Sequence, residues 1–501
     1  MPIHAQGFRF VWYAGALLAL LLVLALMCAL GNPEIARFPY LIGLFVLCAV
    51  PVGVYDGWNG RHSLLGLFCI TYFVMFGLQD LMAIIDDRGS TMPQVSQFIT
   101  EPEAVVLVGG FLVVIAYLLV THFVSGRRTV LRDWPLAPAL GIGIVMWLIG
   151  TYALYTWYVY IVTDTTNEAF RRGLEGKSAI ELSAFILGQM MQPLGILLIV
   201  YVWRVYRYRL LTPLILTIVL VQVVLGFVAD IKGLAMLGGI LVILGGVLIN
   251  GRIPKSWLVA AVAYVIVVFP IFQAYRTEIH GARGISRVAV VENFGRILKL
   301  TLSAEERVNT GRFRAQTFWE RSSLLDSEQV IVEKTGHGVE FQRGHTLSPI
   351  LFTFVPRLVW SEKKEVQTGQ LVNKEFHLTD SDDIFISPSH LGELYWNFGW
   401  PGVIVGMTLI GGLLGMVAAG FNLAEATSIT RLLVTVITIK QLILGFEGAI
   451  APVYVVWLRS LAGIFLLHLV FARPSEAARG SGASASAPAQ RPTLMFPNLL
   501  G

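Results

Sequence analysis

Apolar runs of about twenty residues, the length a helix needs to cross the hydrocarbon of a bilayer, recur along this chain between short polar stretches. They predict about twelve spans, near residues 11–30, 38–54, 64–84, 104–124, 139–163, 182–203, 210–228, 234–249, 257–275, 400–421, 432–445 and 453–471. Helices are the expected form, because lipid offers the backbone no hydrogen-bond partner. The pattern breaks once, over residues 273–399, where charged and apolar positions mix. Within that insert, 288–300 and 317–333 carry apolar residues at helical spacing among charges, as interfacial helices do. Residues 345–360 are apolar but too short and too Pro-broken to span, so they should pack on or dip into the membrane face. Ser387 reads as an N-cap and Pro388 as a first-turn residue, opening a short helix that ends at Gly399 before Pro401 starts the next span. His390, Glu393 and Asn397 fall on one face of that helix. Trp396, Phe398 and Trp400 suit the interfacial layer and would fix its depth.

Composition supports this class. The chain has 501 residues, of which 55% are apolar and 14% charged, the balance of an all-α polytopic membrane protein rather than of soluble domains. Arginines gather in alternate loops: Arg127, Arg128 and Arg132; Arg204, Arg207 and Arg209; Arg252 with Lys255; Arg431; and Arg473 with Arg479. The positive-inside bias places those loops, and both termini, in the cytoplasm, so the large insert faces outward. The organisation expected is an N-terminal bundle over 1–272, an extracytoplasmic helical loop over 273–399, further spans over 400–471 and a disordered cytoplasmic tail over 472–501. That tail is rich in Ala, Ser, Gly and Pro. The first span is too long for a signal-peptide core and reads as a retained helix. The net charge of +5 is spread over the cytoplasmic loops, where anionic lipid accounts for it, so no nucleic-acid partner is expected. Cys28, Cys48 and Cys69 all lie in apolar spans and offer no disulfide or zinc framework.

The insert also carries two stretches with a family likeness. The first runs Arg343-Gly344-His345, then Pro356-Arg357-Leu358-Val359-Trp360-Ser361-Glu362-Lys363, then Gly369 and Asn373. The second is Leu391-Gly392-Glu393-Leu394-Tyr395-Trp396-Asn397-Phe398-Gly399-Trp400-Pro401. Together they resemble the Wzy-type O-antigen and oligosaccharide repeat-unit polymerases of bacteria. That family's outer loop carries a Pro-Arg-x-x-Trp-Pro-x-Lys-Pro stretch and a Gly-Glu-x-Tyr-x-Asn-Phe-Gly stretch. Ser361 and Lys364 stand here where the family often has proline.

The resemblance implies a metal-independent glycosyltransferase with no cofactor, at the outer face of the bacterial cytoplasmic (inner) membrane. It would transfer a glycan from undecaprenyl pyrophosphate onto a new lipid-linked repeat unit. The partners implied are those lipid-linked glycans, membrane lipids, a chain-length regulator and a flippase. The residue types suit such chemistry independently: a pyrophosphate leaving group needs fixed cations, and an acceptor hydroxyl needs a base. Arg357, Arg276, Lys232 and Lys363 are the expected substrate-binding cations, with Asn397 and Tyr395 as further substrate contacts. Glu393 and His390 are the expected catalytic residues: either Glu393 takes the proton as a carboxylate, or His390 takes it as neutral imidazole with Glu393 orienting it.

Alternatives stay open. Asp380-Ser381-Asp382-Asp383 resembles a cation-holding motif of nucleotide-sugar transferases but is read as a polar loop, with no metal site. The Asp86-Asp87 pair keeps another lipid-linked glycosyltransferase or an O-antigen ligase in play. A dozen spans would also suit a transporter or flippase, although the interior charges Lys440, Glu447 and Arg459 all fall late in the chain.

Overall fold

In the computed structural model the described residues are 37–54, 63–78, 99–124, 134–161, 179–229, 231–250, 324–355, 359–360, 368–378, 386–421 and 428–471, with 264 and 295 singly. Among them the architecture is all-helical and contains no strand. In chain order the helices are α1 (Arg37–Val54), α2 (Ser63–Phe76), α3 (Glu101–Val124), α4 (Leu136–Thr156), α5 (Ala179–Val205), α6 (Thr212–Ala229) and α7 (Lys232–Asn250). There follow α8 (Leu325–Lys334), α9 (Thr368–Phe376), α10 (Ser389–Gly420), α11 (Ile429–Thr438) and α12 (Ile450–Phe471).

Among the described residues, seven segments are long and apolar enough to cross a membrane: Glu101–Val124, Ala137–Val159, Ser183–Val205, Arg209–Ala229, Ser389–Gly420, Ile429–Glu447 and Ile450–Phe471. Three shorter apolar helices, Pro39–Pro51, Leu64–Phe76 and Gly233–Ile249, fall where further spans are predicted. This is a multi-pass membrane architecture. The spans expected at 11–30 and 257–275 lie outside the described residues, Tyr264 apart. So do the expected interfacial helix at 288–300, except Gly295, and the tail after 471.

Glycines set how closely these helices approach, since lipid tails offer no hydrophobic gain for burying a larger side chain between them. A Cβ on Gly411 would meet the Val113 carbonyl, and one on Gly415 would stand 2.8 Å from that of Tyr117. The register shows that α3 and the C-terminal part of α10 run parallel. In the antiparallel pair α4 and α5, a Cβ on Gly150 would lie 2.5 Å from the Gln192 nitrogen, and one on Gly195 2.5 Å from that of Trp147. Helices α11 and α12 are joined by Trp457 Nε1 donating to Thr438 Oγ1 at 3.1 Å, and near their other ends Thr430 meets His468 at 2.7 Å.

Helix α10 is the feature that places the site. It breaks at Gly399, whose φ of 62° and ψ of −146° lie where only glycine is at ease. Beyond the break the chain folds back on itself. Leu394 lies against Gly402 and Gly406, and Leu391 and Met407 both lie against Gly109 of α3. Residues 389–398 are therefore a short arm running antiparallel to the long arm, 400–420. Gly109 stands two turns beyond Glu101, which bonds Trp400, so the arm starts roughly 12 Å below the Gly399 turn at about 1.5 Å per helical residue. A short helix ending at Gly399 is as expected; it packs between α3 and the long arm, through Leu391 on Gly109 and Leu394 on Gly402 and Gly406. Trp396 is fully buried against Phe376, their ring centroids 5.3 Å apart, while Phe398 stays partly exposed.

Residues 344–355 form a second inward-running segment. Successive amides of Leu347, Ser348, Ile350, Leu351, Thr353 and Val355 each donate to the carbonyl three residues before. These bonds satisfy a backbone whose neighbours, Leu351 and Phe354, are largely exposed apolar side chains. The guanidinium of Arg459, well inside α12, donates twice to the Thr353 carbonyl, at 3.1 and 2.9 Å. Helices α8 and α9 cover the short arm through a cluster of Ile331, Val339, Val372, Phe376 and Trp396.

Candidate functional site

The short arm is held on three sides, and its polar residues point into the holds rather than outward. Its helix starts two residues later than expected: Ser389, at φ 58°, rather than Ser387, supplies the capping oxygen, with its Oγ accepting from the Gly392 amide at 3.0 Å. Ser387 instead donates to the Glu447 carbonyl.

His390 is completely buried. Its Nδ1 lies 2.9 Å from the Phe446 carbonyl and 3.1 Å from that of Gly448. Carbonyl oxygens only accept, so Nδ1 must carry the proton, and in the neutral ring Nε2 holds the lone pair. That Nε2 is buried with no hydrogen bond. The ring stacks on Phe446, with centroids 4.8 Å apart and 14° between planes, and leans on Tyr454 at 5.6 Å. A neutral imidazole, oriented at one nitrogen and unengaged at the other, has the form of a general base.

Glu393, also fully buried, does something different. Its Oε2 accepts from the Ile450 amide at 2.6 Å and thereby caps the N-terminus of α12. Its Oε1 makes no hydrogen bond, with the Thr346 side chain beside the carboxyl. The expected support of one residue by the other takes another form here: backbone carbonyls, not Glu393, orient His390.

Asn397 is buried and saturated. Its Nδ2 donates to Thr346 Oγ1 and to the Glu393 carbonyl, both at 2.7 Å, and its Oδ1 accepts from the Gly344 amide at 2.8 Å. Alongside, the Gln342 amide donates to the Trp396 carbonyl at 3.0 Å and the Arg343 amide to that of Asn397 at 3.1 Å. The two stretches that carry the family likeness are thus clasped together, Arg343-Gly344-His345 against Trp396-Asn397. Tyr395 donates to Glu101 Oε1 at 2.8 Å, and Trp400 Nε1 to the same oxygen at 3.0 Å, which fixes the arm's upper end to α3.

Sequence reasoning missed Glu328. This α8 residue is fully buried, and its Oε2 accepts from Ser389 Oγ at 2.8 Å. Burial pushes its carboxyl up to about 8, against the pull of the Ser389 hydroxyl and the Gly392 amide. The signal was present in the sequence: Glu328 interrupts an apolar face made by Leu324, Leu325, Ile331 and Val332 at helical spacing.

The structure brings together His390, Glu393, Asn397 and Tyr395. Arg357, Arg276 and Lys363 lie outside the described residues, and so do Asp86, Asp87, Asp380, Asp382 and Asp383. Lys232 opens α7, but its side chain is likewise outside them. Among the described residues no group of three or more His, Cys, Asp or Glu side chains could hold a metal ion. Compared with known protein families, with curated proteins and with solved structures, the chain has no match in any of the three.

Proposed function

We propose that this protein is an oligosaccharide repeat-unit polymerase. It would have about twelve spans and both termini in the cytoplasm, with residues 273–399 at the outer face of the bacterial cytoplasmic membrane. The observation that carries the reading is His390: a buried imidazole, its proton held on Nδ1 by two carbonyls and its Nε2 unengaged, at the start of the short helix whose far end, Trp396-Asn397, is clasped by Gln342-Arg343-Gly344.

In this reading Nε2 takes the proton of an acceptor sugar hydroxyl as that oxygen attacks the anomeric carbon of the donor glycan. The bond from that carbon to the undecaprenyl pyrophosphate oxygen breaks, and the imidazolium then returns its proton to solvent or to the departing pyrophosphate. Arg357, Arg276, Lys232 and Lys363 would neutralise that leaving group, with guanidinium forks suited to phosphate oxygens. Because His390 is closed off in this conformation, the acceptor gains access by movement of the segments packed on it, residues 446–448 and the Tyr454 turn of α12. Glu393 and Asn397 would set the base's surroundings, and Tyr395 the tilt of the arm. The surface polysaccharide formed would be an O-antigen, capsule or exopolysaccharide.

The test is reconstitution of the purified protein in vesicles with a synthetic polyprenyl-pyrophosphate-linked repeat unit. A ladder of longer glycans supports the reading. Transfer of one glycan to a lipid A-type acceptor, with no ladder, would favour an O-antigen ligase instead. One feature favours a second reading, a transporter or flippase: a broken, folded-back helix is a device such proteins use around a substrate path. Movement of the intact lipid-linked unit across the vesicle without any new glycosidic bond would select it.

A further inference from the structure

We propose that Glu328 is the positioning residue of this site, acting through Ser389 to set the first turn of the short arm and so the place of His390. This deepens the polymerase reading and rests on it for the reaction, although not for the geometry. Four observations converge. Ser389 is a non-glycine residue in the left-handed region, a strained conformation that persists only where its surroundings over-determine it. What holds it is Glu328 Oε2, 2.8 Å from its hydroxyl. The same hydroxyl oxygen accepts from the Gly392 amide at 3.0 Å, so the carboxyl, the hydroxyl and the helix start form one chain of hydrogen bonds. Gly392 is also a position with no room to spare: a Cβ there would stand 2.9 Å from Glu328 Oε2 and 3.1 Å from Ile331 Cδ1.

The grip comes from outside the arm's own neighbourhood in sequence. Helix α8 is itself anchored, by the Leu324 amide on the Met75 carbonyl at 2.9 Å and by Lys334 Nζ on the Phe376 carbonyl at 2.8 Å. Glu328 thus transmits the position of the cover to the residue directly before His390. Its second oxygen, Oε1, has no hydrogen bond, so among the described residues the carboxyl's side-chain hydrogen bonding is with Ser389.

The experiment uses the full chain in lipid nanodiscs and reads amide hydrogen exchange beside polymer formation. Glu328→Ala should speed exchange at Gly392 and Glu393 by at least about tenfold, with Asn397 unaffected, and should lower kcat while leaving KM in place. Glu328→Gln keeps a carbonyl oxygen for the Ser389 hydroxyl and should restore both readouts to near parental values. Ser389→Ala, a milder change, should reproduce the exchange effect if Glu328→Ala fails to fold. Parental exchange at Gly392 in both alanine variants overturns the proposal. So does a Gln variant with parental exchange but no activity, since the carboxyl would then take part in the chemistry itself. If the parent makes no polymer while exchange responds as stated, the functional reading fails and this inference stands.

Discussion

The carbonyl oxygen of Leu394 occupies the place that a side chain on Gly402 would need. Eight residues apart, these two would be far from each other in a continuous helix; here the turn at Gly399 presses them together, and His390 is carried down into the bundle as a result. Gly402→Ala should therefore force the arms apart. Overpacking of this kind typically destabilises by about 1–3 kcal/mol. A lower melting temperature of the solubilised protein is the expected outcome, with Gly412→Ala, whose nearest neighbour would be Val120 Cγ2 at 3.8 Å, as the tolerated control.

The tautomer of His390 separates it from Glu393 by experiment. His390→Gln should lower the polymerisation rate by on the order of 10²–10⁴, the range of a positioned base. Glu393→Gln keeps an oxygen for the Ile450 amide and should retain far more activity. The two rates, measured at equal protein levels in vesicles, decide; the reverse order would make Glu393 the base.

Glu328 predicts a pH dependence of stability. Its carboxyl stands at about 8 in the folded chain against an ordinary value of 4.5, so between those pH values the folded state binds more protons than the unfolded one. Stability from this group is full below about 4.5 and is lost as pH rises towards 8. Melting temperature should fall across that window, and Glu328→Gln should flatten the slope. An unchanged slope in the variant would assign the dependence to other groups.

Topology is tested by reporter fusions. Those at Ser361 and Ser381 should read as extracytoplasmic, and those at Arg128, Arg207 and Gly482 as cytoplasmic. A cytoplasmic signal at Ser381 would place the clasped stretches on the wrong face for lipid-pyrophosphate glycans.

Arg357→Lys keeps the charge but loses the two-pronged geometry that matches a phosphate. It should slow polymerisation severely, in the range of about 10²–10³ that loss of one preorganised donor produces. Normal chain lengths from Arg357→Ala would remove it from the site.

The helices were legible because lipid imposes a long apolar run on each one, and the break at Gly399-Trp400-Pro401 because Gly and Pro punctuate the pattern. The shared face of His390, Glu393 and Asn397 was legible from helical periodicity alone. The fold-back was not, since it depends on Leu394 finding Gly402 and Gly406, which no local pattern encodes. For the same reason Trp396 looked interfacial: its partners Phe376 and Ile331 come from other segments. Glu328 was visible only as an acid on an apolar face, and its meaning comes from Ser389, 61 residues away.

The clasp over the site is made largely of main chain: Gln342 and Arg343 contribute only their amides to it, whereas Gly344 and Asn397 contribute what few other residues can. Mutational drift should therefore run freely at Gln342, be narrowed at Arg343, whose φ of 50° disfavours branched side chains, and be purged at Gly344 and Asn397. A library randomised over these four positions and selected for surface glycan should return almost any side chain at Gln342, yet keep glycine and asparagine at the other two. If the proposed reading holds, the position of Gln342 can thus change its side chain to suit a new sugar while the main-chain clasp on Trp396 stays as it is.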